Sequence, residues 1–257
     1  MFAIYKKEMR SYFINAIGYV YVGVFLALSA LICCYTTLQS KSYATSTYFT
    51  MLLFSLVVLI PLLTMRSFAE ERKMRTEQLL LTAPVSLTGM VFGKFLAAFT
   101  MFAGTLLVSC INFIPLYIVA DIERAGETYN VIPRGPVTAQ IVGSLVAILL
   151  VGAAFIAIGI FISSLTENQL SSAVVTIGVI LFLSIIGLVN QIGSDAEGTR
   201  LVSSYAVRAV IDWISVLSRY SNFTYGIFDF AALLYYVSIA FLFLFFTVRV
   251  YEKRRWG

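Results

Sequence analysis

Six stretches of at least 17 residues without a single charged side chain constrain what this 257-residue sequence can fold into. A helix needs about 20 apolar residues to cross the hydrocarbon core of a bilayer, and a water-soluble domain would not contain six such stretches. Charged residues make up only 12% of the chain, against about 25% in typical soluble domains. The sequence therefore predicts an all-α membrane protein with one transmembrane domain over residues 1–257. The predicted spans are residues 16–36, 49–65, 95–120, 137–165, 171–191 and 230–248.

The absence of histidine limits the chemistry that the chain can perform. It excludes Ser–His and Cys–His nucleophile pairs and the H-E-x-x-H zinc site. Because no predicted span contains Asp, Glu, Lys or Arg, an intramembrane hydrolase and an ion-coupled secondary transporter are both disfavoured. The segment GMVFGK at residues 89–94 is one residue short of a nucleotide-binding P-loop. The sequence thus indicates no catalytic, cofactor-binding or metal-binding residue, and an enzymatic role for the chain itself is not expected.

The distribution of the 18 Lys and Arg residues predicts the orientation in the membrane. Twelve of them lie in the N-terminal segment, the loop after the second span and the C-terminal tail, and six lie in the other connections. Positively charged residues concentrate on the cytoplasmic side of membrane proteins. Both termini and the loop after the second span are therefore expected in the cytoplasm.

Two short patterns concern helices near the membrane surface. Apolar and aromatic residues between positions 2 and 12 recur at helical spacing opposite Lys6 and Arg10, which is typical of an amphipathic helix lying on the inner leaflet. Gly89 and Gly93 have the small-xxx-small spacing that lets another helix approach closely. A flexible helix start would give the same two glycines, so the pattern leaves both interpretations open.

The connection between the fifth and sixth spans contains an amphipathic stretch at residues 201–219. Arg208, Asp212 and Arg219 share one helical face of this stretch. A seventh crossing would place Arg208 and Asp212 near mid-membrane, at about 2.5–3.5 kcal/mol each, and would also move the basic tail outside. We therefore expect one or two short helices that lie in, or re-enter from, the outer face. Their charged face is either a solvated surface or an outer gate or substrate contact.

The loop between the second and third spans offers the largest predicted cytoplasmic surface. Glu70, Glu71, Arg72, Lys73 and Arg75 lie within six positions in a composition that favours a helix. A charged helix beside the bilayer could be merely solvated. If the chain transports a molecule, however, another polypeptide must supply the energy, and this loop is the part available to receive it.

Several segments resemble those of ABC-2-type ABC transporter permeases. In the first loop these are RSFAEER at residues 66–72, TEQLLLT at 76–82, PV at 84–85 and GK at 93–94. SSLTENQ at residues 163–169 resembles the turn between spans four and five of that family. The pattern F-x-x-G-I-x-D at 223–229 and YEKRRW at 251–256 resemble the end of the subgroup of gliding-motility and copper-processing exporters.

This resemblance implies a permease subunit of an ATP-driven exporter in the cell membrane, that is, a plasma or bacterial inner membrane. Two copies, or one copy and a related permease, would form the pathway, and separate cytoplasmic ATPase subunits would bind ATP and Mg²⁺. The first loop would carry a coupling helix that docks on the ATPase, and within it we expect Glu71 to be the most sensitive charge. The residues assigned to this contact by position are Phe68, Glu70, Glu71, Arg72, Thr76, Glu167 and Asn168.

The resemblance leaves the cargo open. A charge-free, aromatic-rich interior favours an amphipathic or lipidic cargo, and peptides and polysaccharides also fit the family. The alternative function is a non-transporting membrane scaffold that uses the ATPase for envelope or motility assembly. A nucleic-acid partner is not expected, because no basic and aromatic recognition module is present.

Overall fold

The structure is a computed structural model, which describes residues 1–39, 43, 45–78, 86–126, 135–192, 213, 215–224, 226 and 228–256. Every regular element in these residues is helical, as the sequence predicts. The helices are α1 (Phe2–Ile14), α2 (Ala16–Cys33) with a π-helical extension (Cys34–Gln39), α3 (Thr45–Thr64), α4 (Ala69–Lys73), α5 (Leu87–Ser109) with a 3-10 turn (Cys110–Asn112), α6 (Phe113–Gly126), α7 (Thr138–Leu165), α8 (Gln169–Ile192), α9 (Val216–Thr224) and α10 (Phe230–Trp256).

Within the residues that the structure describes, six helical stretches are long and apolar enough to cross a membrane, in agreement with the six predicted spans. They are Ala16–Thr37, Thr45–Lys73, Leu87–Asp121, Thr138–Leu165, Gln169–Ile186 and Phe230–Trp256. The third begins eight residues before the predicted start at residue 95. A search for charge-free residues stops at Lys94, whereas the helix continues through it because two partly buried carboxylates, Glu8 and Glu71, neutralise its charge.

Helix α7 lies at the centre of the bundle and packs against α3, α5, α8, α9 and α10. Two glycines let its neighbours approach. A Cβ added at Gly152 would lie 2.1 Å from Cε1 of Phe102 on α5, and one at Gly159 would lie 2.2 Å from Oγ1 of Thr64 on α3. Both distances are far below van der Waals contact, so the side chains of α3 and α5 occupy the space beside these glycines.

The N-terminal helix predicted from the sequence is α1. It turns sharply into α2 at Asn15, which is extended at φ −86° and ψ 145°. The turn places the Tyr12 carbonyl where a Cβ of Gly18 would lie, 2.1 Å away. Helix α1 then packs along the start of α5, since a Cβ at Gly93 would lie 3.2 Å from the Met1 carbonyl oxygen. Of the two interpretations of Gly89 and Gly93, the structure therefore supports close helix approach.

One end of the bundle gathers the charged side chains, and we call it the charged end. It comprises α1, α4, the C-terminal ends of α7 and α10, and the start of α5, which are joined by ion pairs. Helix α9 lies at the opposite end against the first turns of α7 and α10, where Tyr236 Oη donates a 2.7 Å hydrogen bond to the Val216 carbonyl oxygen. A short helix thus exists between the last two spans, but it overlaps only the end of the stretch 201–219 in which short helices were expected, and Arg208 and Asp212 lie outside the described residues.

The predicted orientation can be tested with two single cysteines in a variant lacking Cys33, Cys34 and Cys110. We expect Phe228→Cys, an exposed position beside the start of α10, to react with an impermeant maleimide applied to intact cells. Arg255→Cys, at the charged end, is expected to react only after the membrane is opened. The predicted orientation is wrong if Arg255→Cys reacts from outside the cell.

Candidate functional site at the charged end

The short helix α4 is anchored to the central helix at its first residues. Ser163 Oγ on α7 accepts hydrogen bonds from the Phe68 and Ala69 amides, each at 3.1 Å, and contacts the Met65 carbonyl oxygen at 3.3 Å. The first amides of a helix have no partner within the helix, so the Ser163 hydroxyl supplies one from a neighbour. The direction of α4 is thereby fixed relative to α7.

A buried lysine lies beneath α4. Lys94 is 2% exposed, and its ammonium contacts Glu8 at 2.7 Å, Glu71 at 3.0 Å and the Ser67 carbonyl oxygen at 2.6 Å. An ammonium group has three donors, and three acceptors surround this one. Burial of a charge is tolerated when it is paired in this way. Lys94 therefore joins α1, α4 and α5 at one point.

Two further side chains complete the layer under α4. The Phe68 ring is buried, with its centroid 4.7 Å from the Tyr251 ring of α10 and 4.9 Å from the Lys94 ammonium. Lys7 on α1 reaches Glu71 at 3.3 Å from the solvent side. Phe68 and Glu71, both predicted to contact an ATPase, are therefore engaged within the chain. Only 14% of the Glu71 side chain is exposed.

Arginines connect α4 to the ends of the long helices. Arg72 donates to the Leu165 carbonyl oxygen at 3.0 Å and to Glu167 at 2.9 Å. Arg254 on α10 donates to Glu77 at 2.9 Å and to the Ser164 carbonyl oxygen at 2.7 Å. The last carbonyls of α7, which lack partners within the helix, are thus bonded by two guanidinium groups. Glu167, the predicted contact residue in the turn between spans four and five, is therefore held beside the predicted residues of the first loop.

The remaining predicted residues lie nearer the surface of the charged end. Glu70 receives two hydrogen bonds from Arg66, at 2.7 and 2.8 Å, a geometry that suits the guanidinium fork. Thr76 closes the end of α4, since its amide donates to the Glu71 carbonyl oxygen at 3.0 Å. Asn168 is exposed, and its Oδ1 accepts from the Leu170 amide at 3.3 Å, at the start of α8.

The end of α4 and the turn that follows it face outward; they comprise Lys73, Met74 and Arg75, which we call the loop tip. All three side chains are exposed, and Met74 is 65% exposed. Arg75 has a φ of 56° in the left-handed region, which non-glycine residues seldom adopt. Leu165 and Leu170 are also exposed at this end. The charged end therefore presents an apolar and basic surface beside Glu167 and Asn168.

The residues of this site that sequence reasoning missed include Glu8, Lys94, Tyr251 and Arg254. Lys94 gave a signal, because a lone lysine in an apolar helix usually has a partner. No local pattern around Glu8, Tyr251 or Arg254 indicated their long-range contacts. The contact of Glu8 with Lys94 spans 86 positions of the chain, and that of Arg254 with Glu77 spans 177. Within the described residues no group of three His, Cys, Asp or Glu side chains converges as metal ligands. The described contacts of the site position α4 and the surface beside it.

Comparison with protein families identifies a match over most of the chain. The model of the family described as ABC-2 family transporter protein matches residues 34–254. This range includes α3 to α9, most of α10 and therefore all of α4, while α1 lies before it. No curated protein matches the chain.

Proposed function

The chain belongs to the ABC-2 family of transporter proteins, and from this premise we propose that it is the permease subunit of an exporter driven by separate ATPase subunits. Its six spans and its family make it a multi-pass protein of the cell membrane. ATP and Mg²⁺ bind to the ATPase in this proposal. Two copies of the chain, or one copy and a related permease, form the pathway for an amphipathic, lipidic, peptide or polysaccharide cargo.

The observation that carries the proposal is the set of contacts that hold α4 against the neighbouring helices. The start of α4 is bonded to α7 through Ser163, its underside contacts α1 and α5 through Lys94, and its end contacts α7 and the connection between α7 and α8 through Arg72. Packed elements held at several points move as a unit more readily than they deform. A displacement of the loop tip would therefore reach α1, α5 and α7 together, as a coupling helix requires.

In this proposal the coupling residues have two roles. The loop tip, with Arg72, Thr76, Glu167 and Asn168 around it, supplies the surface that contacts the ATPase. Phe68, Glu70 and Glu71 act from below as positioning residues, since their side chains bind Tyr251, Arg66 and Lys94 of the same chain. A helix that was merely solvated would not need a buried lysine beneath it.

The proposal is tested by substituting Met74, the most exposed apolar side chain of the loop tip. Met74→Glu places a charge where an apolar contact is expected, and truncation of a central interface residue commonly costs about 2 kcal/mol or more. We expect the amount of ATPase that co-purifies to fall at least about tenfold, and transport-coupled hydrolysis to fall with it. The thermal unfolding midpoint of the purified permease is expected to stay unchanged.

The matched control is Glu252→Ala, at the same end of the bundle. Glu252 pairs with Arg249 of its own helix at 2.6 Å and has no role in the proposed contact, so ATPase binding is expected to be retained. The permease alone is expected to hydrolyse no ATP. If Met74→Glu retains full ATPase binding and coupled activity, the loop tip is not the surface that contacts the ATPase. ATP turnover by the permease alone would refute the proposal that separate subunits hydrolyse ATP.

A further inference from the structure

A groove lies at the end of the bundle opposite the charged end, and none of the residues proposed to couple to the ATPase lines it. It has a volume of about 480 Å³, within the range of about 300–1,000 Å³ of ligand-binding pockets. Helices α7, α8, α9 and α10 form its walls, and Trp213 lies at its mouth. Apart from the Tyr235 and Ser238 hydroxyls, the Trp213 indole N–H and one arginine, its described lining side chains are apolar.

The single charged group among these lining residues is Arg219 of α9. Its guanidinium lies over the Tyr235 ring of α10, with 4.1 Å between its central carbon and the ring centroid. Stacking occupies the face of the guanidinium, whereas its five N–H donors point outward in its plane. Within the described residues no carboxylate forms an ion pair with Arg219. Asp229, the residue before α10, caps that helix by accepting a hydrogen bond from the Ala231 amide at 2.9 Å.

The length of the groove matches one leaflet of a bilayer. Its lining on α10 begins at Ala231 and ends at Phe243, so it follows the helix for about 18 Å at 1.5 Å per residue. Half of the hydrocarbon core measures about 15 Å. The groove therefore extends from the level of the headgroups, where Arg219 lies, to the middle of the membrane.

The side of the groove is open to the bilayer. Leu234 and Leu242, near its two ends, are 50% and 47% exposed on the surface of the bundle, and lipid contacts that surface in a membrane. Ser238, between them, donates its hydroxyl to the Leu234 carbonyl oxygen of its own helix at 2.6 Å, so it needs no polar partner in the groove. An occupant can therefore enter sideways from the lipid, with an acyl chain along α10 and a headgroup at α9.

We propose that this groove is a binding site for an anionic phospholipid of the adjacent leaflet, with one acyl chain between α7 and α10 and the headgroup phosphate on Arg219. Charge complementarity selects the headgroup, since Arg219 is the one cation at the mouth among the described lining residues. The groove length selects a chain of bilayer origin. This site does not depend on the proposed coupling to an ATPase, because it involves none of the residues of the charged end.

The chain contains two tryptophans, which makes a direct measurement possible. In a Trp256→Phe variant Trp213 is the only tryptophan, and it lines the groove mouth. The variant is reconstituted into vesicles in which either phosphatidylglycerol or phosphatidylcholine carries brominated acyl chains that quench tryptophan fluorescence. Quenching against the fraction of brominated lipid gives the relative binding constant of each lipid. We expect phosphatidylglycerol to be preferred about fivefold, the effect of one cation near an anionic headgroup.

Two further variants separate the headgroup from the chain. Arg219→Gln is expected to bring the preference close to one, because it removes the charge and keeps most of the side chain. Ser238→Phe fills the groove halfway along α10 and is expected to reduce quenching by both lipids while Arg219 remains. The control is Arg249→Gln, since Arg249 also stacks on an aromatic ring, Phe245 at 4.9 Å, but lies near the charged end. It is expected to leave the preference unchanged.

Equal quenching by the two lipids, or a preference that persists in Arg219→Gln, overturns the proposal. A preference that Arg249→Gln abolishes also overturns it, because the selectivity then belongs to the general charge of the protein. Thermal unfolding of each purified variant in detergent confirms that the comparison is made between folded proteins. A preference lost only in Arg219→Gln and quenching lost in Ser238→Phe are the results that support the site.

Discussion

Replacing Lys94 with methionine is expected to lower the stability of the protein by about 3–5 kcal/mol, the typical cost of removing one partner from a buried ion pair. The methionine keeps most of the lysine volume, so packing changes little. The loss comes from Glu8 and Glu71, which lie 2.7 and 3.0 Å from the ammonium and would face each other without it. The measurement is the thermal unfolding midpoint in detergent, which we expect to fall by about 10 °C.

The control for this substitution is Lys7→Met. Lys7 pairs with the same carboxylate, Glu71, but its side chain is 61% exposed, and exposed pairs contribute about 0–1 kcal/mol. Its midpoint should therefore stay within a few degrees of the parent. Adding Glu8→Gln and Glu71→Gln to Lys94→Met should recover much of the loss by removing the stranded charges. Equal midpoints for Lys94→Met and Lys7→Met would show that the buried ammonium does not hold the charged end together.

Gly152→Ala is expected to destabilise the centre of the bundle although it adds one carbon atom. That atom would lie 2.1 Å from the ring of Phe102, which is fully buried and has the Phe25 ring 6.3 Å away, centroid to centroid. The ring has no empty space to enter, and overpacking of this kind costs about 1–3 kcal/mol. We expect a lower unfolding midpoint and weaker contact between α5 and α7.

A second glycine provides the comparison. Gly178 on α8 has no atom within 4 Å of an added Cβ, so Gly178→Ala should be neutral or stabilising, because alanine favours a helix by about 1 kcal/mol over glycine. Combining Gly152→Ala with Phe102→Leu should cost less than the sum of the two single changes, since the smaller side chain makes room for the methyl group. If the stability losses of the two single changes simply add, the effect of Gly152→Ala does not come from its contact with Phe102.

The number and order of the spans could be predicted because long apolar runs have few alternatives in a membrane. The N-terminal helix followed from periodicity, while the expectation based on the cost of burying Arg208 and Asp212 concerns residues outside the described part of the chain. The start of α5 was placed too late, because a search for charge-free residues treats Lys94 as a boundary. Only the three-dimensional arrangement shows that Glu8 and Glu71 neutralise it.

The candidate site was predictable as a segment but not in the direction of its side chains. The charge cluster and the family resemblance both selected residues 66–76. Which carboxylates of α4 turn inward depends on where α1 and α5 lie, and no local pattern contains that information. The family resemblance assigned both Glu71 and Arg72 to the contact with the ATPase. In the structure Glu71 pairs with Lys94, whereas Arg72 pairs with Glu167.

The contact between Arg254 and Glu77 joins residues 177 positions apart, and this separation orders the biosynthesis of the protein. The ribosome synthesises α4 and Glu77 long before α10. The contacts of Phe68 with Tyr251 and of Glu77 with Arg254 can therefore form only after the last span has been inserted. A chain that stops short of α10 exposes an aromatic ring and an incompletely paired carboxylate at the membrane surface, which are features that quality-control proteases can recognise. The charged end is therefore complete only after α10 has been inserted, and we expect a partner that requires the proposed contact surface not to assemble with chains that lack α10.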